Sequence, residues 1–530
     1  MANSLLGGVF AFCWLLLRSG TKPSRFAYPC QQAALSAATL AFGAPLVAAV
    51  IAARRQVAAR LSTPSGIAAA VAGLILTAGV WGYFARADAY TGPRFDPPGD
   101  YRARLYHVSD CPQDPVGDRF IGLDNLLVLM GREGLKFYRS PDPSLVAGPE
   151  GIIAADDVVV IKINYQWSQR GGTNTDVLRG LIRRIVDHPD TFAGEVVVCE
   201  NAQFASVQNF DRSENNAQNH GQSPHDVVVD FQSQGYTVSH YDWTAIRFNS
   251  VAEYSEGDMN DGYVLLPYDP EVRGRVSYPK FQTDYDTYVS LKYGLWDPDS
   301  KTYDREHLKF INVPVLKTHS GYGVTACVKD YMGVVTRELG TNSHSAIRYG
   351  ILGALQGEIQ LADLNLLDCI WINAIPRNGP STPYGNATRR DELVASLDPI
   401  AADIWAVKNI LIPAFIEKGY PPPWPGADPD DPNSWFRIYL DNSMNQILAA
   451  GYVVTNDLEQ IDAFTWNGAG DADGDCDVDL ADYAEFYDCL EGPDIRVPRG
   501  CRSLDFNDDR DVDLEDFNEF QNVFTGPGIF

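Results

Sequence analysis

The chain has 530 residues, too many for one ordinary hydrophobic core, so two or three domains are expected. Its hydrophobic content of 45% is normal for a globular protein, but 69 acidic residues against 42 lysines and arginines give a formal net charge of −27. This acidity argues against a nucleic-acid partner, because lysines and arginines that neutralise phosphate supply most of the affinity in such complexes.

The first predicted elements are three apolar runs near the N-terminus, at 4–17, 33–53 and 66–84. The second and third carry no charge for 21 and 19 residues and are long enough to span a bilayer, whereas the first is too short. We therefore predict a membrane anchor over 1–90 with spans at about 33–53 and 66–84. Buried core helices are the alternative interpretation of these runs, and the first run is an interfacial or signal-like segment.

The short loop between the two predicted spans carries Arg54, Arg55 and Arg60. Positive charge in short loops stays in the cytoplasm, which places residues 85–530 on the extracytoplasmic side of a multi-pass membrane protein. Basic residues between 18 and 25 favour the opposite orientation in the membrane. The lipid bilayer is thus the first expected partner.

Residues 91–119 have the proline, glycine and charge content of a linker. After it, apolar runs typical of buried parallel strands alternate with stretches of helical periodicity. The runs lie at 158–163, 195–199, 308–313 and 366–372, with a further element at 236–241 and a β-hairpin insertion at 263–281. Helix starts are predicted at Asn174 or Thr175, at Ser223-Pro224 and at Asp398-Pro399. The pattern predicts an α/β core over 120–465, a mostly parallel sheet with helices on both faces.

The stretch from Ile311 to Val335, INVPVLKTHSGYGVTACVKDYMGVV, is the best site candidate. A strand ends before Lys317 and His319, a glycine-containing loop follows, and we expect Thr325 to cap a helix that carries Lys329. Strand ends and helix starts of this kind favour anions.

Lys162 lies near the end of another predicted strand, so it should share the carboxyl edge of the sheet with these residues. We predict that Lys162, Lys317, His319, Thr325 and Lys329 bind one anionic small molecule or cofactor, whose identity the sequence does not give. His319 and Lys317 are the catalytic candidates, with His319 as the general acid–base group because it titrates near neutrality. The alternative is that the lysines are solvated strand ends.

Asp368 lies within an apolar strand, where an unpaired carboxylate is costly. We expect it to hold one of the lysines or a cation.

After Gly468 the composition changes, and two 12-residue loops, 471–482 and 505–516, repeat one pattern. Oxygen-bearing side chains fall at positions 1, 3, 5, 7, 9 and 12 of each loop, a spacing that suits calcium. The predicted ligands are Asp471, Asp473, Asp475, Asp477, Asp479 and Asp482, and then Asp505, Asn507, Asp509, Asp511, Asp513 and Asp516.

We predict a small all-α calcium domain over 468–526 that is loose without the cation. Cys489 and Cys501 bracket the connection between the loops and could form a disulfide if the domain is exported. An acidic disordered tail is the alternative.

Residues 120–410 resemble the family called domain of unknown function 362. The resemblance rests on IKIN with Lys162 and Asn164, on Pro314-x-x-Lys317-x-His319, on Gly323-x-Thr325 followed by Lys329, on LLDCI with Asp368, and on the helix start at Asp398-Pro399. It implies that Asn164 joins the ligand-binding residues, and it suggests redox- or metal-linked chemistry. This chain has Asp330 where relatives have asparagine, and it lacks the iron–sulfur motifs that many relatives carry.

The tail resembles type I dockerin or EF-hand repeats over about 468–526, which implies a protein partner.

Two functions are therefore open. The first is an enzyme, or enzyme-like domain, that binds an anionic small molecule in the lysine and histidine pocket. The second is a membrane-held, calcium-ordered binding or scaffold protein without turnover. The sequence contains no Walker loop, no G-x-G-x-x-G fingerprint and no Cys-x-x-Cys pair, which removes the common nucleotide-binding, zinc-ribbon and ferredoxin-type assignments.

Overall fold

The computed structural model describes residues 94–109, 118–203 and 222–466, together with parts of the tail between 470 and 524. All of them belong to the second of the two units into which the chain divides, Tyr90–Phe530. The apolar runs at 4–17, 33–53 and 66–84 lie outside the described residues, and so do Asp473, Asp475, Asp477 and Asn507.

The strands of the described residues have the following bounds: β1 Ala103–Val108, β2 Tyr138–Arg139, β3 Ala147–Gly148, β4 Val158–Ile163, β5 Glu195–Glu200, β6 Val238–Asp242, β7 Gly262–Leu265, β8 Ser277–Gln282, β9 Tyr288–Ser290, β10 Gly294–Asp297, β11 Thr302–Asp304, β12 Leu308–Val313, β13 Val315–His319, β14 Gly323–Thr325, β15 Leu364–Asn373, β16 Thr388–Ser396 and β17 Ile461–Trp466.

The helices of the same residues are α1 Ile121–Arg132, α2 Thr175–Val186, α3 Pro224–Ser233, α4 Cys327–Asp330, α5 Ser343–Ala346, α6 Ile351–Ile359, α7 Pro399–Ala406, α8 Ile412–Glu417, α9 Trp435–Ala449, α10 Leu480–Cys489 and α11 Leu514–Val523. A π-helical segment, Val407–Leu411, joins α7 to α8.

The main sheet has the order β17-β1-β16-β15-β12-β4-β5-β6. Its neighbouring strands run parallel except at β16, which is antiparallel to both β1 and β15. A short branch of β13 and β14 attaches to β15. The prediction of an α/β fold with a mostly parallel sheet is confirmed.

Strand β4 shows why this sheet is covered on both faces. Its sequence VVVIKI is buried throughout, and successive side chains point to opposite faces. Val158 and Val160 join one core cluster with residues of α6, α7 and α9, while Val159 and Ile161 join another with residues of α1, α2 and α3. Lys162 follows on the same face as Val160, so β4 directs its one lysine into the first of these layers.

The predicted helix starts agree with the structure at all three places. Asn174 caps α2 through its side chain, Ser223 forms a capping box at α3, and Asp398 accepts two backbone N–H groups at the start of α7. Each cap satisfies donors that have no partner within the helix, which is why these residues mark boundaries in the sequence.

One segment differs from its prediction, and another belongs to a larger sheet than predicted. The stretch taken as a linker contains β1, a strand of the main sheet between β16 and β17, and exposed Arg104 within it lowers the apparent apolarity. The predicted hairpin at 263–281 is confirmed as the antiparallel pair of β7 and β8. It belongs to a five-stranded antiparallel sheet, β11-β10-β9-β8-β7, whose later strands of three or four residues are too short to give a periodic signal.

Among the described residues, the helical stretch Pro399–Glu417 is long and apolar enough to cross a membrane. However, 72% of its apolar window is buried inside the protein. A core helix satisfies the same criterion.

In the tail, α10 and α11 begin with the same capping box, formed by Asp479 with Asp482 and by Asp513 with Asp516. Their buried faces share a small core that includes Phe486 and Phe520. A disulfide joins Cys489 to Cys501, the pairing considered for an exported chain.

Candidate functional site

A narrow cleft of about 60 Å³ opens at the carboxyl ends of β4 and β5, beside the β13–β14 branch. Residues from six segments line it, including Asn164, Gln166, Trp167, Glu200, Gln203, Lys317, His319, Thr325, Lys329, Asp330, Gly333, His344 and Pro380. The carboxyl edge of an open α/β sheet is where such folds place ligands. Five of the predicted site residues thus line one cleft: Asn164, Lys317, His319, Thr325 and Lys329.

Lys162 forms the floor beneath this cleft and is completely buried. Its ammonium lies 2.6 Å from an Asp330 carboxylate oxygen and 2.8 Å from a Glu200 oxygen. Gly333 covers the group so closely that a Cβ there would lie 2.5–2.6 Å from the Glu200 oxygens and the Lys162 Nζ. Any side chain at this position would push the ion cluster apart.

The two carboxyl groups around Lys162 differ in their protonation. Burial raises the pKa of Glu200 to about 8, so this carboxyl group holds a proton at neutral pH. Burial acts to lower the pKa of Lys162, but Asp330 and Glu200 outweigh it and the pKa is raised. Lys162 and Asp330 therefore form a compensated ion pair, with Glu200 as a neutral neighbour.

Lys317 is also fully buried, but its hydrogen-bond partners are uncharged. Its ammonium donates to the Asn164 side-chain oxygen at 3.0 Å and to the Gly171 carbonyl, while the Asn164 amide donates to Asp330 at 2.6 Å. Burial, with Lys162 and Lys329 nearby, lowers the pKa of Lys317 to about 7. Lys317 can therefore exchange a proton near neutrality.

Lys329 is 6% exposed, and its ammonium makes no ion pair or hydrogen bond with the residues that the structure describes. It lies 5.4 Å from the centre of the Tyr322 ring. Burial lowers its pKa to about 8, so it is mostly charged at pH 7. A nearly buried charge without a partner is costly, and an anion in the cleft would offset that cost.

His319 does not have the acid–base character that we expected of it. Its Nδ1 accepts the backbone N–H groups of Gly321 at 3.0 Å and Tyr322 at 3.2 Å, which places the ring proton on Nε2. Burial and the charge of Lys329 lower the pKa of His319 to about 2. The imidazole is neutral at physiological pH and offers a fixed N–H donor.

His344 stands on the other side of Tyr322, and the tyrosine hydroxyl donates to the His344 carbonyl at 2.6 Å. Burial lowers the pKa of His344 to about 4, so this ring is neutral as well. The positive charge of the cleft therefore comes from its lysines.

Thr325 occupies a position other than the one expected. Thr325 is the last residue of β14, opposite Lys317, and does not cap the next helix. Asp403 of α7 takes that role, because its carboxylate accepts the N–H groups of Cys327 at 2.6 Å and Val328 at 3.1 Å.

Asp368 is buried in β15 and accepts the N–H of Asn174 at 2.8 Å. It contacts the start of α2 and is absent from the described residues that line the cleft. A backbone N–H thus supplies one of the partners that a buried carboxylate requires, and the expectation that Asp368 holds a lysine or a cation stays a prediction.

Glu200 and Gln203 are two of the cleft residues that the sequence prediction missed. Both follow the apolar run at 195–199, so their position at the end of a neighbouring parallel strand was a usable signal. The Gln203 side-chain oxygen is buried without a hydrogen-bond partner among the described residues and gives the cleft an acceptor.

The tail contains a second group of predicted site residues. Carboxylate oxygens of Asp511, Asp513 and Asp516 lie within 4.8 Å of one another. In both loops the position-12 aspartate accepts the N–H at loop position 2, at 2.6 Å for Asp482 and 2.7 Å for Asp516. The described parts of the two loops therefore share this hydrogen bond.

A family model described as "Domain of unknown function (DUF362)" matches residues 305–408. This range contains Lys317, His319, Thr325 and Lys329, so the resemblance inferred from the sequence is confirmed for that part of the core. No curated protein and no solved structure matches the chain.

Proposed function

We propose that the α/β core binds a compact anionic molecule, a carboxylate or a phosphate, in the cleft beside Lys317 and Lys329. The observation that carries this proposal is the Lys329 ammonium, which is nearly buried and has no acidic partner among the described residues. With Lys162 compensated by Asp330, the cleft has a surplus of positive charge that an anionic group would balance.

The other groups of the cleft suit the same ligand. The His319 Nε2–H is a neutral donor, and the Thr325 hydroxyl and the Gln203 oxygen add further polar contacts. The small volume favours a ligand of few atoms, or the anionic end of a longer molecule whose remainder extends toward solvent.

The proposal extends to catalysis by proton transfer, with Lys317 in the role first expected of His319. An amine with a pKa of about 7 can act as either base or acid at physiological pH. His319 then polarises the substrate through its N–H, as a neutral imidazole can. Redox- or metal-linked chemistry rests on the family resemblance alone.

Titration calorimetry with phosphate and malonate tests the binding. The full chain in detergent and calcium-free buffer, which avoids calcium phosphate, should bind at least one of the two probes. Lys329→Gln should weaken that binding at least tenfold.

Lys280→Gln is the matched control, since Lys280 is also buried beside a tyrosine ring, at 4.1 Å from Tyr254, but lies in the five-stranded sheet. An equal loss in both variants, or no binding of either probe, would refute the proposal and favour a non-catalytic scaffold.

We propose further that 468–526 is a calcium module with a protein partner and that the chain is anchored by its N-terminal apolar runs. The Cys489–Cys501 disulfide supports an extracytoplasmic location, where disulfides persist. The carboxylate group at Asp511, Asp513 and Asp516 supports calcium binding.

Two measurements test these assignments. Limited proteolysis of the full chain should cut between 468 and 526 much faster with a chelator than with calcium, and equal rates would contradict calcium binding. Protease added to intact cells should degrade the core, whereas protection until lysis would reverse the proposed topology.

A further inference from the structure

A second cluster of charged side chains lies at the opposite end of the strands from the cleft, where the neighbouring parallel strands β4 and β12 begin. Leu308 of β12 is paired with Val158 of β4, and the Val158 N–H donates to the His307 carbonyl at 2.8 Å. This register brings His307 beside Asp156 and Asp157, and one potential ligand atom from each of the three lies within 4.8 Å of the others.

Asp157 is the most informative member of the cluster because it is fully buried. Its Oδ2 accepts the Ala154 N–H at 2.7 Å, but its Oδ1 is buried without a hydrogen-bond partner among the described residues. The Lys309 ammonium lies 3.9 Å from Oδ2, beyond hydrogen-bond distance, and donates to the Glu306 carbonyl instead. A buried carboxylate oxygen in this condition lacks a cation or a donor.

His307 is oriented for ligation by a neighbouring carboxylate. Its Nδ1 lies 2.7 Å from Asp304 Oδ2, which leaves Nε2 directed toward Asp156 Oδ2 at 3.7 Å. A carboxylate on the second ring nitrogen is the usual support of a metal-binding histidine. Two bonds of about 2.1 Å that meet at a tetrahedral angle separate their ligand atoms by about 3.4 Å, so only a small shift of exposed Asp156 is required.

We infer that Asp156, Asp157 and His307 form a binding site for a divalent transition metal of the zinc class. One imidazole nitrogen and two carboxylate oxygens are a borderline donor set, suited to zinc and its neighbours and unlike the all-oxygen loops that calcium prefers. Acidic groups predominate nearby, since Asp304 and Glu306 add to the two aspartates, while Lys309 and Arg139 are the facing cations.

The metal would join the first residues of β4 and β12 and stabilise the start of both strands. The site is separated from the cleft by the length of β4, about 20 Å for six residues. It is therefore independent of the proposed anion-binding function. Without a metal, a protonated His307 would bridge Asp304 and Asp156 as an ordinary ion pair, and this is the alternative that the experiment must separate.

The test is a zinc titration of the full chain in detergent, with calcium in excess to occupy the tail. Wild type should bind one zinc ion that His307→Ala abolishes, while Asp156→Asn and Asp304→Asn should each weaken it tenfold or more. Glu306→Gln is the matched control, because Glu306 pairs with Arg139 at 3.0 Å on the same surface and should leave the affinity unchanged.

The inference is overturned if wild type binds no zinc under these conditions, or if Asp156→Asn and His307→Ala bind it as wild type does. Circular dichroism checks folding of each variant. If His307→Ala does not fold, Asp156→Asn decides the question, since the Asp156 side chain is 70% exposed and its replacement leaves the core intact.

Discussion

The two ends of strand β4 differ in charge. The cleft at its carboxyl end has an excess of positive charge from lysines, and the cluster at its amino end has an excess of negative charge from carboxylates. Lys329 is nearly buried without an acidic partner among the described residues, while Asp157 is buried with one oxygen that lacks a donor. Between them, Lys162 is just as buried, yet the Asp330 carboxylate compensates its charge at 2.6 Å. The comparison shows that burial alone does not distinguish these groups, because Lys162 is compensated whereas the two groups on which the proposals rest are not.

Replacement of Lys162 is the most direct test of whether its charge is compensated in the folded protein. Lys162→Met leaves Asp330 as an unpaired buried carboxylate, which should cost about 3–5 kcal/mol in the free energy of unfolding. Denaturant titration measures the loss. A loss below about 1 kcal/mol would mean that the ion pair contributes little and that the comparison with Lys329 fails.

The pH dependence of ligand binding gives the next largest effect. The lysines must be charged to hold an anion, and the pKa values of Lys317 and Lys329 are about 7 and about 8. Malonate affinity should therefore fall tenfold or more between about pH 7 and about pH 9, because each unit above a pKa leaves a tenth of the charge. Calorimetry at each pH measures this fall, and Lys329→Gln should make the remaining dependence shallower. A constant affinity would exclude the lysines from binding.

Without ligand, the same lysines should act on stability in the opposite direction. Their pKa values in the folded chain lie below the ordinary lysine value, so the unfolded chain binds more protons between about pH 7 and about pH 10. Stability should rise with pH in this window, and the rise should be smaller in Lys329→Met. Thermal unfolding of both proteins across the window measures the difference, and parallel curves would show that Lys329 is solvated.

Replacement of Lys329 itself should have a small effect on the fold. Lys329→Met removes an uncompensated buried charge, so it should not lower the free energy of unfolding at pH 7, in contrast to Lys162→Met. Denaturant titration of the two variants side by side measures the contrast. A loss as large as that of Lys162→Met would show that Lys329 has a structural partner.

Much of the fold was readable from local patterns. The apolar runs predicted β4, β5, β12 and β15, and capping residues such as Asn174 and Asp398 marked helix starts. These signals depend on neighbours within a few residues, so the sequence contains them in full. Strand β1 was missed because its place in the sheet depends on β16 and β17, which lie more than 250 residues away in the chain.

The sequence by itself determined that Lys317, His319, Thr325 and Lys329 lie close together, because they occupy one short stretch between a strand and a helix. Only the tertiary structure decided which charges are compensated. Lys162 and Asp330 are 168 residues apart in the chain, much farther than any two residues of that stretch. They nevertheless form the 2.6 Å ion pair that makes Lys162 structural. The same folding put two backbone N–H groups on His319 Nδ1 and left Lys329 without an acidic partner among the described residues. Charge and protonation depend on distance in space, and a linear pattern does not contain that distance.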